Sequence, residues 1–118
     1  MTITSRRGFT LVEIMIIVAI IAITLSIAVP NYLTISKISK RTVCINNIKK
    51  ILGAVEQYVI ENNISVGTAL SSTQEDEVYS KYLRGGVPVC PSGGEYTIET
   101  IGSNPQVSCS KEEDGHTL

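Results

Sequence analysis

The sequence predicts an α+β protein in which a long, bent N-terminal α-helix carries a small antiparallel β-sheet head on its C-terminal half. Three patterns in the 118 residues support this fold class. Residues 9–29 form an apolar run, residues 44–58 repeat apolar side chains at helical spacing, and residues 95–101 alternate as in a strand. The expected order is therefore one long helix followed by a small head, which comprises residues 63–118.

The apolar run from Phe9 to Val29 is long enough to cross a membrane as a helix. Its 21 residues would extend roughly 31 Å at about 1.5 Å per residue, against a hydrocarbon thickness of about 30 Å. Glu13 is the one charged residue in this run. Because a carboxylate near mid-bilayer costs on the order of 2 to 3.5 kcal/mol, Glu13 requires a cationic partner or a functional reason.

After residue 30 the pattern becomes amphipathic, and one helix from about Phe9 to Asn62 accounts for both parts. Pro30 removes one backbone donor, so it is expected to kink this helix without ending it. Residues 9–30 would form the membrane-spanning part, and residues 31–62 the amphipathic part that the head covers. The apolar face of the second part consists of Cys44, Ile48, Ile51, Val55 and Tyr58.

The head is expected to begin with a loop and then a short helix. Ser72 and Glu75 fit an S-x-x-E capping box, which would open a helix that ends near Leu83. The acidic residues 75–77 fall in the first turn of this helix, where the helix dipole favours negative charge. We therefore interpret them as a helix start rather than a metal site.

A β-hairpin is expected next. Residues 95–101 alternate apolar and polar side chains, the turn residues 102–105 follow, and residues 106–110 would return as the partner strand. The polar tail 111–118 is expected to be a loop.

The three cysteines, Cys44, Cys90 and Cys109, allow at most one internal disulfide. We expect Cys90 to pair with Cys109, because the 18 residues between them contain the hairpin and the bond would tie a small sheet. Such a bond is worth roughly 2 to 4 kcal/mol. Cys44 is predicted to be a buried core residue. The alternatives are three reduced thiols, or a bond from Cys44 to either of the other two cysteines.

The composition and motifs give no support to an enzyme or a cofactor-binding protein. A net charge of −1 argues against a general nucleic-acid binder. His116 is the single histidine and is expected to be a solvated tail residue, while the segment Cys90 to Gly93 lacks the second thiol of C-x-x-C. Residues 112–114 are interpreted as a solvated acidic run. No zinc-ligand spacing is present, so the sequence assigns neither a metal nor a cofactor.

The segment Arg7-Gly8-Phe9-Thr10-Leu11-Val12-Glu13 resembles the processing site of type IV prepilins and type II secretion pseudopilins. The resemblance implies that residues 1–8 are a leader and that a prepilin peptidase cuts between Gly8 and Phe9. It further implies that Phe9 is then N-methylated and that Glu13 becomes the fifth residue of the mature chain.

The same resemblance implies a fold and a location. In small pilins a few antiparallel strands pack on the C-terminal half of the long helix, and many pilins have a helix-kinking proline where Pro30 stands. Lys and Arg residues flank the apolar run on both sides, so charge alone does not set the orientation. The resemblance implies a cytoplasmic N-terminus, a single pass through the inner membrane and a head outside the cytoplasm.

The function implied is that of a structural subunit of a type IV pilus or a type II secretion pseudopilus. The subunit would join a homo-oligomeric or mixed filament, built by inner-membrane assembly machinery, with residues 9–30 in its core. Cleavage would give Phe9 a free amine, the cation that Glu13 lacks. Pairing this amine with Glu13 of a preceding subunit would set the register of assembly.

The alternative is a secreted or membrane-anchored small binding domain that forms no filament. The residues Ser26-Ile27-Ala28 form a small-x-small site for conventional signal peptidase, which would release a chain that begins at Val29. An apolar run that extends to position 29 is long for such a signal, and this favours the filament subunit.

Overall fold

The computed structural model describes residues 8–118 and contains two compact units, the residues up to Ser36 and the residues Lys37–Leu118. A long helix, a second helix and a two-stranded antiparallel sheet confirm the predicted α+β class. The elements in chain order are α1 (Leu11–Asn62), α2 (Ser72–Tyr82), β1 (Tyr96–Ile98), β2 (Val107–Cys109) and a 3₁₀ helix (Glu112–Asp114).

The part of α1 in the first unit is apolar on all sides. Every side chain from residue 8 to residue 35 is exposed, and the segment is long and apolar enough to cross a membrane. The hydroxyl groups of Thr24, Ser26 and Thr34 bond to the helix backbone; that of Thr24, for example, donates to the carbonyl of Ile21 at 2.9 Å. Such bonds remove the need for water, so the hydroxyl groups are compatible with an apolar environment.

The helix continues through Pro30, as predicted. Thr34 donates its hydroxyl to the carbonyl oxygen of Pro30 at 3.2 Å. The kink expected at Pro30 stays a prediction.

The part of α1 in the second unit supplies one wall of the core. All five residues of the predicted apolar face are buried, which confirms the helical spacing as the signal for this face. Asn47 and Ala54 are buried on the same side. The other core residues come from α2, the sheet and the adjoining loops: Val78, Cys90, Ile98, Ile101, Val107 and Cys109.

Helix α2 and its N-cap both lie one residue earlier in the sequence than predicted. Ser71 is the N-cap in an extended conformation, and its N–H donates to the side-chain oxygen of Gln74 at 2.9 Å. The predicted capping box of Ser72 and Glu75 was therefore wrong by one position. Two consecutive serines each have a suitable residue three positions later. The half-buried Leu70 packs against the core, so Ser71 is the last extended residue before the helix.

The sheet pairs Tyr96 with Cys109 and Ile98 with Val107 in antiparallel register. Ile98, Val107 and Cys109 are buried, whereas Thr97, which lies between Tyr96 and Ile98 on β1, is exposed, as the predicted alternation requires. Both strands have three residues and are shorter than expected.

The shortening of β1 has a backbone cause. The N–H of Ile101 donates to the carbonyl of Thr68 at 2.9 Å, and the N–H of Gly67 donates to the carbonyl of Ile101 at 2.8 Å. Residue 101 therefore pairs with the loop after α1 and not with β2.

Candidate functional site

The predicted processing residues lie just before α1. Gly8 and Phe9 are outside the helix, and the Phe9 side chain is 78% exposed. A Cβ atom at Gly8 would meet no atom within 4 Å. The peptide bond between these residues is thus in open, non-helical backbone. Residues 1–7 of the predicted leader, which include Arg6 and Arg7, lie outside the described residues.

Glu13 lies in the first turn of α1, where its own backbone is capped. The N–H of Glu13 donates to the hydroxyl of Thr10 at 3.3 Å, and Thr10 immediately precedes the first helical residue. A helix N-terminus favours a negative charge in its first turn. The carboxylate is exposed and forms no ion pair with any of residues 8–118. It is thus open to a cation from another chain.

A second group of reactive side chains lies in the second unit. Cys44, Cys90, Cys109 and His116 are all buried, and each contributes one ligand atom to a set whose members lie within 4.8 Å of one another. We call these four residues the Cys3His cluster. The expectation that Cys44 is a core residue is confirmed. The expectation that His116 is solvated was wrong, because its side chain is only 3% exposed.

A tight turn follows Cys90 and places Gly94 next to the cluster. The N–H of Gly93 donates to the carbonyl of Cys90 at 2.9 Å, with Pro91 in the second position of the turn, where its fixed φ fits. A Cβ atom at Gly94 would lie only 2.6 Å from the sulfur of Cys109. Gly94 therefore allows the backbone to approach this sulfur more closely than any other residue could.

Arg41 holds the tail so that His116 enters the core. Its Nε atom donates to the carbonyl oxygen of Gly115 at 2.6 Å. Gly115 has a left-handed backbone with φ 79°, which turns the chain after the 3₁₀ helix. The Nδ1 atom of His116 then lies 3.6 Å from the sulfur of Cys90.

The cysteines of the cluster differ in acidity. Burial raises the pKa of Cys90, but the backbone N–H groups of Ser92 and Gly94, together with Cys44 and His116, outweigh it and lower this pKa to about 6. Burial raises the pKa of Cys44 to about 12, although a hydrogen bond with Tyr96 acts in the opposite direction. The structure therefore favours a thiolate at Cys90.

The polar side chains of Asn47 and Tyr96 form hydrogen bonds next to the cluster. Asn47 donates its side-chain amide to the hydroxyl of Tyr96 at 3.1 Å and to the carbonyl of Val89 at 3.2 Å. The Tyr96 hydroxyl in turn contacts Cys44, and both its burial and this contact raise the pKa of Tyr96. The phenol thus stays protonated and can donate to a sulfur.

Two kinds of chemistry are open to these four residues. Three sulfurs and one imidazole nitrogen can hold one metal ion, or two of the sulfurs can form a disulfide. The three cysteines are free thiols in the structure, and the pairing of Cys90 with Cys109 stays a prediction.

The Cys3His cluster was missed from the sequence because its members are far apart, at positions 44, 90, 109 and 116. The available signal was the combination of three cysteines with one histidine and a Cys-Pro-Ser-Gly-Gly turn.

Comparison with known proteins supports the reading of the N-terminal segment. The family model described as the prokaryotic N-terminal methylation motif matches residues 3–29. The type II secretion system core protein G of Klebsiella pneumoniae is 30% identical over 112 residues, which cover 86% of this chain and 80% of that protein.

Pilins show a more local similarity. The type IV major pilin protein PilA of Myxococcus xanthus is 40% identical over 58 residues, covering 49% of this chain and 26% of PilA. The type IV wide pilus major component PilA4 of Thermus thermophilus is 39% identical over 59 residues, covering 50% of this chain and 45% of that protein. No solved structure matches the chain. With its methylation motif, its long apolar helix and a relative matched over most of both chains, the protein belongs to the family of type IV pilins and type II secretion pseudopilins.

Proposed function

We propose that the protein is a structural subunit of a type IV pilus or a type II secretion pseudopilus. The observation that carries this proposal is the exposure of every side chain of α1 from Leu11 to Ile35, in a helix long and apolar enough to cross a membrane. A helix that is apolar on all sides requires lipid or other protein around it. A filament subunit meets this requirement twice, because its helix lies first in a membrane and then among other copies of the same helix.

Processing at Gly8–Phe9 is the second part of the proposal. The matched methylation motif spans this bond, and the bond lies in exposed backbone before α1. A prepilin peptidase would remove residues 1–8, and the new amine of Phe9 would be methylated. The alternative bond after Ala28, at which signal peptidase would release a secreted domain, lies inside α1. The helical conformation there favours the first site.

Glu13 would then set the register of the growing filament. The amine of an incoming Phe9 is a cation, and the Glu13 carboxylate of a preceding subunit has no ion pair with residues 8–118 of its own chain. A misplaced subunit would leave both charges unpaired in apolar surroundings, which is costly. The apolar side chains of α1 supply the attraction, and the charge pair selects one position along the helix.

The proposed function also implies where the subunit is located before and after assembly. Before assembly the subunit would be a single-pass protein of the inner membrane, with its N-terminus in the cytoplasm and its head outside. Assembly machinery in that membrane would move the subunit into the filament. The family membership supports this orientation, which the charges on the two flanks leave undecided.

A glycine substitution tests this function against a matched control. The chain is expressed with a prepilin peptidase and a pilus or secretion assembly system, and sheared filaments are collected from the cells. Gly8→Val is expected to leave an uncut precursor in the membrane and to abolish filaments. Gly53→Ala is the control, since Gly53 lies on an exposed part of α1 where a Cβ atom meets nothing within 4 Å. Filaments formed from uncut Gly8→Val chains would contradict the proposal.

A further inference from the structure

We propose that the Cys3His cluster is a structural zinc site, in which Cys44, Cys90, Cys109 and His116 bind one ion. Their side chains are 0%, 2%, 2% and 3% exposed, respectively, and their ligand atoms all lie within 4.8 Å of one another. This property goes beyond filament assembly and does not depend on it.

The spacing of the ligand atoms fits a tetrahedral ion. Bond lengths of about 2.3 Å from zinc to sulfur and about 2.0 to 2.1 Å from zinc to nitrogen place tetrahedral neighbours about 3.8 Å apart for two sulfurs and about 3.6 Å apart for sulfur and nitrogen. The distance between Cys90 Sγ and His116 Nδ1 is 3.6 Å. Since no pair in the set exceeds 4.8 Å, no pair of ligand atoms has to close by more than about 1 Å to bind zinc.

Hydrogen-bond donors surround two of the proposed ligand sulfurs. Zinc binds thiolates, and the backbone N–H groups of Ser92 and Gly94 are placed to donate to the Cys90 sulfur. The Tyr96 hydroxyl, itself held by Asn47, is placed to donate to Cys44. Donors of this kind orient metal ligands and stabilise their charge. Three buried thiolates without a cation would be unstable, and a divalent ion would offset two of their three negative charges.

The donor set also selects the metal and the role. Three thiolates and one imidazole are a common ligand set of structural zinc sites, and soft sulfur ligands disfavour calcium and magnesium. Four protein ligands complete a tetrahedron and leave no position for a reacting water. The site is therefore expected to stabilise the fold and not to catalyse a reaction.

The position of the cluster explains what the ion would stabilise. Cys44 lies on α1, Cys90 in the turn before β1, Cys109 at the end of β2 and His116 in the tail. The sheet of the second unit has only two strands of three residues each. Small domains with so little regular structure commonly depend on a metal or a disulfide. One ion would join these four segments of the second unit.

The disulfide between Cys90 and Cys109 is the competing arrangement. It would consume two of the four ligands and so exclude the tetrahedral site. Zinc binding instead predicts three reduced cysteines. The two arrangements therefore differ in the number of reduced cysteines, which mass spectrometry can count.

The first test measures metal and thiols on the same sample. The full chain is purified in detergent without chelators, its zinc content is determined by elemental mass spectrometry, and its thiols are alkylated after denaturation and counted. We expect about one zinc ion per chain and three alkylated cysteines. A disulfide between any two of the cysteines would overturn the proposal. So would a zinc content no higher than that of a variant with all three cysteines changed to serine.

The second test needs no variant and therefore does not depend on whether a variant folds. Cobalt(II) is exchanged into the wild-type chain, and its visible spectrum is recorded. Tetrahedral coordination by thiolates is expected to give intense d–d bands with sulfur-to-cobalt charge transfer. Weak bands of octahedral cobalt would overturn the proposal.

A matched pair of tail variants then tests the histidine. Competition with a chromophoric chelator is expected to show that His116→Ala weakens cobalt binding by at least about 10-fold, since a direct ligand should contribute at least as much as an outer-shell partner. Thr117→Ala, which alters the exposed neighbour, should bind cobalt as the wild type does. Equal affinity in His116→Ala and the wild type would remove His116 from the site and overturn the four-ligand proposal.

Discussion

The Nε atom of Arg41 lies 2.6 Å from the carbonyl oxygen of Gly115, which is 74 positions later in the chain. Arg41 is on α1, one turn before Cys44, and Gly115 directly precedes His116. A Cβ atom at Gly115 would lie 2.9 Å from the guanidinium carbon of Arg41. The helix and the tail are thus in close contact at this point, and that contact positions the only histidine of the chain.

Replacing Arg41 should increase the mobility of the tail at residues 114–118. Arg41→Ala removes the donor to Gly115, and a hydrogen bond of this kind at an exposed site contributes about 1 kcal/mol. Hydrogen exchange of the amides at residues 114–118 should become faster than in the wild type. Arg84→Ala serves as the control, because Arg84 is an exposed arginine in the segment after α2. Unchanged exchange in Arg41→Ala would show that the contact does not hold the tail.

Two isoleucines on α1 provide a direct test of the core. Ile51 is fully buried, whereas Ile60 is 76% exposed. Ile51→Ala should lower the free energy of unfolding by about 2 to 5 kcal/mol, because it removes buried methylene groups and leaves a cavity. Ile60→Ala should change it by less than about 0.5 kcal/mol. Chemical denaturation of the full chain in detergent, followed by circular dichroism, measures both. Equal effects of the two substitutions would contradict the assigned core face.

The carboxylate of Glu61, near the end of α1, should make the stability of the folded chain depend on pH. A hydrogen bond from the Tyr82 hydroxyl lowers the pKa of Glu61 below its ordinary value of 4.5, and Lys81, 3.7 Å away, acts in the same direction. A carboxyl group with a lowered pKa stabilises the folded chain above its unfolded pKa, and the effect is lost as the pH falls through the folded pKa. The wild type should therefore melt at a higher temperature than Glu61→Gln near neutral pH.

This difference in melting temperature should shrink as the pH is lowered below 4.5, the ordinary pKa of Glu61. Glu56→Gln removes an exposed carboxylate from the same helix and is the matched control. A difference between the wild type and Glu61→Gln that is the same near neutral pH and at about pH 3 would contradict the role of this carboxylate.

The carboxylate in the apolar segment should matter for assembly and not for insertion. Glu13→Ala removes the partner of the Phe9 amine, so sheared filaments should be lost while the amount of chain in the membrane stays the same or rises. Glu13→Asp keeps the charge and should retain part of the filament yield. A normal filament yield from Glu13→Ala would show that the charge pair does not set the register.

The features that could be predicted from the sequence are those with a local period or motif. The buried face from Cys44 to Tyr58 was correct in every residue, because helical spacing alone selects one side. The cap of α2 was wrong by one position, since Ser71 and Ser72 both fit the motif and only the path of the chain decides between them. Strand β1 was predicted too long because Ile101 bonds to a loop that is distant in the sequence.

The features that could not be predicted depend on contacts between distant residues. The tail after residue 110 is polar, and its composition predicts solvent exposure. His116 is nevertheless buried, because Arg41 holds the preceding residue and Gly115 turns the chain inward. The Cys3His cluster depends on the same contact, together with the close approach of Gly94 to Cys109. Neither contact leaves a pattern in neighbouring residues.

The central claim, that this chain is a processed filament subunit, is tested most directly by the intact mass and N-terminal residue of the mature protein isolated from cells with a prepilin peptidase. We expect a chain that begins at Phe9 and carries one additional methyl group on its amine. A chain that still begins at Met1, or one that begins at Val29, would contradict the claim.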